Sequence, residues 1–407
     1  MITVEEALER ILSRVGTLGD ERVALLDALD RVLAEPVVAD REIPPWPNSS
    51  MDGYAVSSAD TSGASAESPA ALRMAGHVAA GHLAERPLAR GEAFRILTGA
   101  PLPEGADAVI PQEDVQADGA TVRIPRPVSA GDYVRPRGED LRPGDRLFAP
   151  GRVLTPGDIG VLATLGRSRV RVIRRPVVGV LSTGDEIVDL GGTLRPGQIP
   201  NSNTYSLMAQ VRATGAEPLS LGVARDRQDE IEARLAWGLG CDVLISSAGV
   251  SVGDHDFVKA ALTALGAEQH LWLVNMRPGK PITFATVESP LKGTLPVFGL
   301  PGNPVSAMVT FELFVRPAIR RLGGHMRLTR PIRSARALMP IPNPGRRRGY
   351  LRVVLGERGG ALTARLTGEQ GSGILRSMSE ADGLAIVPGD TTIAAGETVP
   401  VMLLREG

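Results

Sequence analysis

The sequence predicts a multidomain α/β and β protein, built on a central α/β domain whose mainly parallel sheet is covered by helices. Three observations predict it. The chain has 407 residues, beyond the ~250–300 at which one hydrophobic core stops growing. From residue 176, apolar runs of strand length alternate with helical stretches, the pattern of a parallel sheet buried on both faces. On either side, the segments are short, punctuated by Gly and Pro, and poor in helical periodicity; they predict a β-rich second domain and a small C-terminal β-barrel or sandwich.

Taken in order, Thr3 and Glu6 form a capping box ahead of Leu8, Ile11, Leu12 and Val15 at helical spacing, predicting a helix over 3–15. Leu25, Leu29, Val32 and Leu33 share one face of a second expected helix over 24–34. Ile43-Pro44-Pro45-Trp46-Pro47 is a rigid connector that cannot be helical. Residues 48–145 read as the small β domain, and 146–174 as a return connection around one short helix, Asp158–Leu165. The alternation then gives strands at 177–181, 219–223, 243–246, 271–274 and 295–298, with helices over 203–213, 227–237, 255–265 and 304–321. Strands at 350–355, 361–366, 384–387 and 399–404 close the chain.

Composition excludes several classes. Lys plus Arg number 45 against 46 Asp plus Glu, so wholesale duplex binding, which needs a positive footprint, is not expected. One cysteine, Cys241, excludes an intrachain disulfide framework and multi-cysteine metal sites. The N-terminus lacks signal-peptide character, and no stretch reaches the ~18–20 apolar residues of a membrane span. A soluble, cytoplasmic protein is the expectation. Only three of the basic residues are lysine: Lys259, Lys280 and Lys292.

Ligands of open parallel sheets bind outside the carboxyl ends of the strands. There the sequence places Ser182-Thr183-Gly184-Asp185-Glu186, Ala224-Arg225-Asp226, Gly249-Val250-Ser251-Val252-Gly253-Asp254-His255-Asp256, Arg277-Pro278-Gly279-Lys280-Pro281 and Gly299-Leu300-Pro301-Gly302-Asn303-Pro304. Any one such turn could need Gly and Asn only for its backbone conformation. Five on one edge predict one crevice. Gly-rich turns that open helices favour a phosphate-bearing or oxyanionic ligand. Neither a Walker-type loop nor a dinucleotide fingerprint is present. Gly249–Gly253 matches a nucleophile elbow, yet the later acid and histidine of that fold are misplaced: Glu268 precedes its strand and Glu288 lies in a hairpin. Serine-hydrolase chemistry is left as a remote third reading, and the glycines are read as backbone room for a ligand.

Seven stretches in order, Ile43–Val56, Arg95–Pro103, Arg135–Asp140, Leu181–Glu186, Gly249–Asp256, Arg277–Pro281 and Leu300–Ser306, resemble the molybdopterin molybdenumtransferases over the whole chain. Arg277 departs from a lysine found in some members. The resemblance implies an α/β molybdopterin-binding domain from 1–24 and 175–326, an elongated linker domain from 25–44 and 146–174, a β-rich domain at 45–145 and a C-terminal β-barrel at 327–407. It implies a homodimer whose crevices lie near the partner's 45–145 segment. It also implies a reaction of adenylylated molybdopterin with molybdate, using Mg²⁺ and releasing AMP and molybdenum cofactor. The adenylyltransferase of the preceding step and recipient molybdoenzymes are further expected partners.

The same resemblance assigns roles. Ser182, Thr183, Gly184, Gly249, Ser251, Gly253, Pro301, Gly302 and Asn303 line the substrate crevice. Molybdate, a dianion, would be held by Lys280 and Arg277 and, by looser alignment, Arg352 and Ser377. Arg352 could equally be a solvated strand residue and Ser377 an ordinary turn hydroxyl. Asp52, Thr98, Arg137 and Asp140 are the catalytic candidates of the second domain, and each could instead cap a turn. Asp226 and Asp256 are the expected Mg²⁺ carboxylates, with Glu186 orienting or acting as acid or base. Two such carboxylates within ~4 Å would repel by ~4 kcal/mol at an effective dielectric of ~20, a strain removed by a proton or a cation. Their alternative is helix capping or pairing with neighbours such as Arg225. Arg346-Arg347-Arg348 reads as a solvated charge run, and Cys241 as packing. A non-catalytic pterin-binding scaffold is the competing reading, disfavoured by the charges at Asp226, Asp256 and Lys280.

Overall fold

The computed structural model describes residues 1–248 and 257–405. Gly249, Ser251, Gly253 and Asp256 lie outside the described residues. The chain divides into two compact units: Met1–Ala34, Gly151–Thr155 and Val170–Gly407 form one, Glu35–Pro150 and Pro156–Arg169 the other.

The first unit is organised by a six-stranded sheet with the order Glu217–Ala224, Val177–Thr183, Val243–Ser247, Gly293–Leu300, Pro281–Ser289, Glu268–Leu273. The first four run parallel, as the continuous apolar runs require. Pro281–Ser289, which the periodicity reading did not include, runs antiparallel to both of its neighbours. It is joined to Gly293–Leu300 by a hairpin, so no crossover helix is needed there. Val4–Leu12 carries the expected capping box, with the Thr3 hydroxyl accepting from the Glu6 N–H. It packs with Ser202–Ala213 and the long helix from Pro304 to Leu322 in one apolar cluster on one side of the sheet. Gln228–Trp237 and Phe257–Ala264 cover the other side, where Cys241 is buried as packing.

The helix expected over 24–34 is not formed. Only Leu25–Ala28 makes a 3₁₀ turn; Asp30 then takes a positive φ of 61°, and Val32 and Leu33 bridge to Val153 and Val172. Long-range strand-like pairing competes successfully here with a local apolar periodicity that is weak at its outer edge, where Leu26 is left 79% exposed. At the C-terminus, Arg348–Arg358, Ala361–Leu366, Ile332–Ala337, Thr398–Leu403 and Gly383–Val387 pair in a ring that closes on itself, a five-stranded barrel. Closure leaves no barrel edge to protect.

The second unit contains a six-stranded mixed sheet centred on Gly53–Val56, Glu92–Ile96 and Ala70–Val78. Its return helix is Pro156–Thr164. Among the described residues no helix is long and apolar enough to cross a membrane.

Candidate functional site

The carboxyl ends of the parallel strands surround a cavity of about 530 Å³ lined by Ser182, Thr183, Glu186, Ser247, Gly302 and Asn303, among others. Two of these strands, Val177–Thr183 and Val243–Ser247, end in buried hydroxyl residues. The Ser182 hydroxyl meets that of Thr204 at 2.7 Å and donates to Asn201 Oδ1 at 3.2 Å, while the buried Thr183 hydroxyl has no partner among the described residues. Gly184 has φ +143°, and a Cβ there would lie 2.6 Å from the Glu186 carboxylate. Glycine at this position therefore lets that carboxylate fold back against the strand end. Across the cavity, Gly302 fits against Ala248, whose φ of 80° is strained for a residue with a side chain. Asn203 ties the two walls, its amide donating to Ser247 Oγ at 2.8 Å and to the Gly302 carbonyl at 2.7 Å. Sequence reasoning missed Asn203; its signal was the Pro200-Asn201-Ser202-Asn203 opening of a helix at the sheet edge.

Asp226 follows the adjacent strand and meets Asp185, whose Oδ1 lies 3.4 Å from the Asp226 amide. Burial, then the negative charges of Asp185 and Glu186, hold the Asp226 carboxyl above the usual range. Glu186 is therefore near enough for its charge to act on Asp226, with Asp185 as a further acid not singled out from the sequence, whereas Asp256, the expected partner of Asp226, lies outside the described residues. Among the described residues no three carboxylate, imidazole or thiol groups converge to hold a metal unaided. Such an acid corner suits a hard cation that takes one or two carboxylates and completes its shell with phosphate oxygens.

The barrel contributes the opposite charge. Arg352 is no solvated strand residue: it is 0% exposed. Its Nε donates to Ser377 Oγ at 3.0 Å and its Nη2 to the Gly371 carbonyl at 3.1 Å, leaving Nη1 buried with no partner among the described residues. The Ser377 hydroxyl in turn donates a hydrogen bond to the Ile374 carbonyl at 2.6 Å, so it too is held in place. Burial first, and the nearby Arg277 second, push the Arg352 pKa down to about 10. Two guanidiniums close enough to repel, one with an open donor, make a site for an oxyanion. Exposed Arg277 and Lys280 flank Pro278 and Gly279, and a Cβ on Gly279 would strike the Thr310 hydroxyl at 2.5 Å. That close fit fixes the turn carrying both cations. The barrel loop reaches the helix start after Asn303, since the Val305 N–H donates to the Ser372 carbonyl at 3.1 Å. Pro301 is buried behind that start. Of the Arg346–Arg348 run, expected to be solvated, Arg346 is exposed, while Arg347 donates to the Met276 carbonyl and Arg348 pairs with Glu5.

In the second unit, Asp52 and Thr98 do meet. Asp52 Oδ1 accepts from the Thr98 N–H at 2.8 Å and from its hydroxyl at 2.7 Å, and these two bonds hold the carboxyl below its usual range. Arg137 pairs with Glu42, and exposed Asp140 donates its N–H to the Ile43 carbonyl.

Comparison with known proteins covers the chain from end to end. Residues 2–166 match the MoeA N-terminal region (domain I and II), 179–321 a probable molybdopterin binding domain and 334–404 the MoeA C-terminal region (domain IV). Molybdopterin molybdenumtransferases of a Nostoc species and of Bacillus subtilis are both 38% identical, over 99% and 100% of this chain and 94% of each relative. A crystal structure of the molybdopterin biosynthesis MoeA protein from Pyrococcus horikoshii superposes with a TM-score of 0.82 at 33% identity, covering 100% of both chains. Matched from end to end in sequence and in fold, this chain belongs to the molybdopterin molybdenumtransferase family.

Proposed function

We propose that this protein inserts molybdenum from molybdate into adenylylated molybdopterin, releasing AMP and molybdenum cofactor. The observation that carries the reading is the buried Arg352, with an open guanidinium donor beside Arg277, in the same unit as a cavity lined by Glu186, one of the two acids whose charge bears on Asp226. The first feature supports oxyanion recognition, and the second supports phosphate recognition through a bound cation. Arg352, Ser377, Arg277 and Lys280 would bind and orient molybdate as fixed donors. Ser182, Thr183, Asn303 and the Gly302 backbone would hold the pterin substrate. Asp226 and Glu186, with Asp256, would hold Mg²⁺, which supplies Lewis-acid polarisation of the phosphoryl group.

The enzyme would act in the cytoplasm as a homodimer. Asp52, Thr98, Arg137 and Asp140 would serve the partner's crevice. Mixing Asp52→Ala with Asp226→Ala subunits should then restore about a quarter to half of the activity, because only the mixed dimer regains an intact site. No recovery despite proven subunit exchange would exclude sharing. The direct test supplies the protein with adenylylated molybdopterin, Mg²⁺ and molybdate, and follows AMP release and reconstitution of an apo-molybdoenzyme. Pterin binding without AMP release would return the reading to a scaffold.

A further inference from the structure

A second cavity, not used by the proposed reaction, lies at the other end of the same strands. A cavity of about 800 Å³ opens beside Arg174-Arg175-Pro176 and the Arg212–Glu217 turn, the segments that lead into Val177–Thr183 and Glu217–Ala224. A seven-residue strand spans ~20 Å, so this cavity is separate from the crevice at the carboxyl ends.

Seven arginines line it, with two acids, Asp30 and Glu217. Three deeper ones are balanced from behind: Arg31 pairs with Glu21, Arg174 with Asp242, and Arg330 with Glu312. Lys292 shares Asp242. Among the described residues, the lining and these ion-pair partners therefore hold eight cations against five carboxylates. At the rim, exposed Arg175 and Arg212 have no ion-pair partner among the described residues. Between them and the floor runs an apolar wall of Leu29, Val32, Val153, Ile173 and Ile319. An all-arginine cation set offers planar forks suited to phosphate. The volume falls in the range that encloses a drug-sized ligand and far exceeds one phosphate group.

We propose that this cavity is a second anion site, which takes a phosphorylated organic molecule the size of a nucleoside phosphate. The phosphate meets Arg175 and Arg212 at the rim, and the organic part covers the apolar wall. Inorganic phosphate or pyrophosphate satisfies only the first half of that surface and binds more weakly.

His325 gives a local reporter. It lines the cavity, and its Nδ1 lies 3.2 Å from Arg320 Nη2; burial, then Arg320 and Arg316, hold its pKa down to about 4. The experiment titrates full-length protein carrying ¹³C-labelled histidine with AMP, ADP and pyrophosphate, using His325→Gln to assign the resonance. Binding in the catalytic crevice would leave His325 still, so the outcome does not depend on the proposed reaction. The expected result is a saturable shift of His325 by AMP or ADP, with pyrophosphate weaker. The apparent affinity should fall roughly tenfold or more in Arg175→Ala/Arg212→Ala, which keeps its fold and turnover. The proposal is overturned if His325 does not move at millimolar nucleotide, or if the double variant binds as well as the wild type. It is also overturned if only an acidic peptide moves the resonance, or if Arg212→Glu splits an oligomer without affecting nucleotide binding; either would make this face a protein interface.

Discussion

The acid corner at the sheet edge and the arginine pocket at the barrel both hold like charges together, and they resolve the conflict differently. Asp226, beside Asp185 and Glu186, has its pKa raised, so a proton can relieve it when no cation is near. Arg352, fully buried beside Arg277, has its pKa lowered only to about 10 and stays charged at neutral pH. A guanidinium has no accessible neutral form to retreat to. The acid corner can therefore rest without ligand, whereas the arginine pocket keeps an uncompensated charge until an anion arrives. Preorganised charge of this kind is costly to the fold and useful to binding.

Breaking the arginine side should give the largest effect. Arg352→Met is expected to lower molybdate-dependent turnover roughly a hundredfold, as loss of a preorganised donor does, while thermal stability stays level or rises. Rates measured against molybdate, alongside a melting curve, check both halves; a variant that turns over normally would empty the pocket of its role. On the acid side, Asp226→Asn and Glu186→Gln should each slow AMP release by about tenfold or more and raise the Mg²⁺ needed for half-maximal rate. Wild-type Mg²⁺ dependence in both would place the metal elsewhere.

Lys280→Arg sharpens the comparison. It preserves charge but replaces a compact ammonium by a larger planar fork. The fold and pterin binding should persist while the molybdate requirement rises about tenfold, read from the half-saturating molybdate concentration.

The smallest effects are in stability. Because the folded pKa of Asp226 lies above its ordinary value of 3.8, stability is lost as pH rises between those two values, and the penalty is complete at neutral pH. Asp226→Asn should thus raise the melting temperature at pH 7 and lose that advantage below about pH 4. Asp52 has the opposite sign. Its folded pKa lies below 3.8, so its contribution is present at neutral pH and disappears as pH falls through the folded value. Asp52→Asn should lower the melting temperature slightly at pH 7 and not at low pH. Melting curves across pH for the two variants should therefore diverge in opposite directions.

The sequence by itself determined the alternation of strands and helices between 177 and 322, the β character of the flanking regions, and the gathering of unusual turns at one sheet edge. Those features are local: periodicity reports which face of an element is buried, and Gly, Pro and Asn mark where it ends. Only the tertiary structure decided that 29–33 leave helix for pairing with distant strands, that Pro281–Ser289 reverses direction, and that the barrel closes. It also decided which charges meet. Arg352 repels Arg277, 75 positions away in sequence (352 − 277), and Asp185 faces Asp226 across two different strands. A lone arginine in a strand reads the same whether it points to water or into a core. Its surroundings are built by residues remote in sequence, so burial, repulsion and the open donor that make Arg352 chemically special exist only once the chain has closed around it.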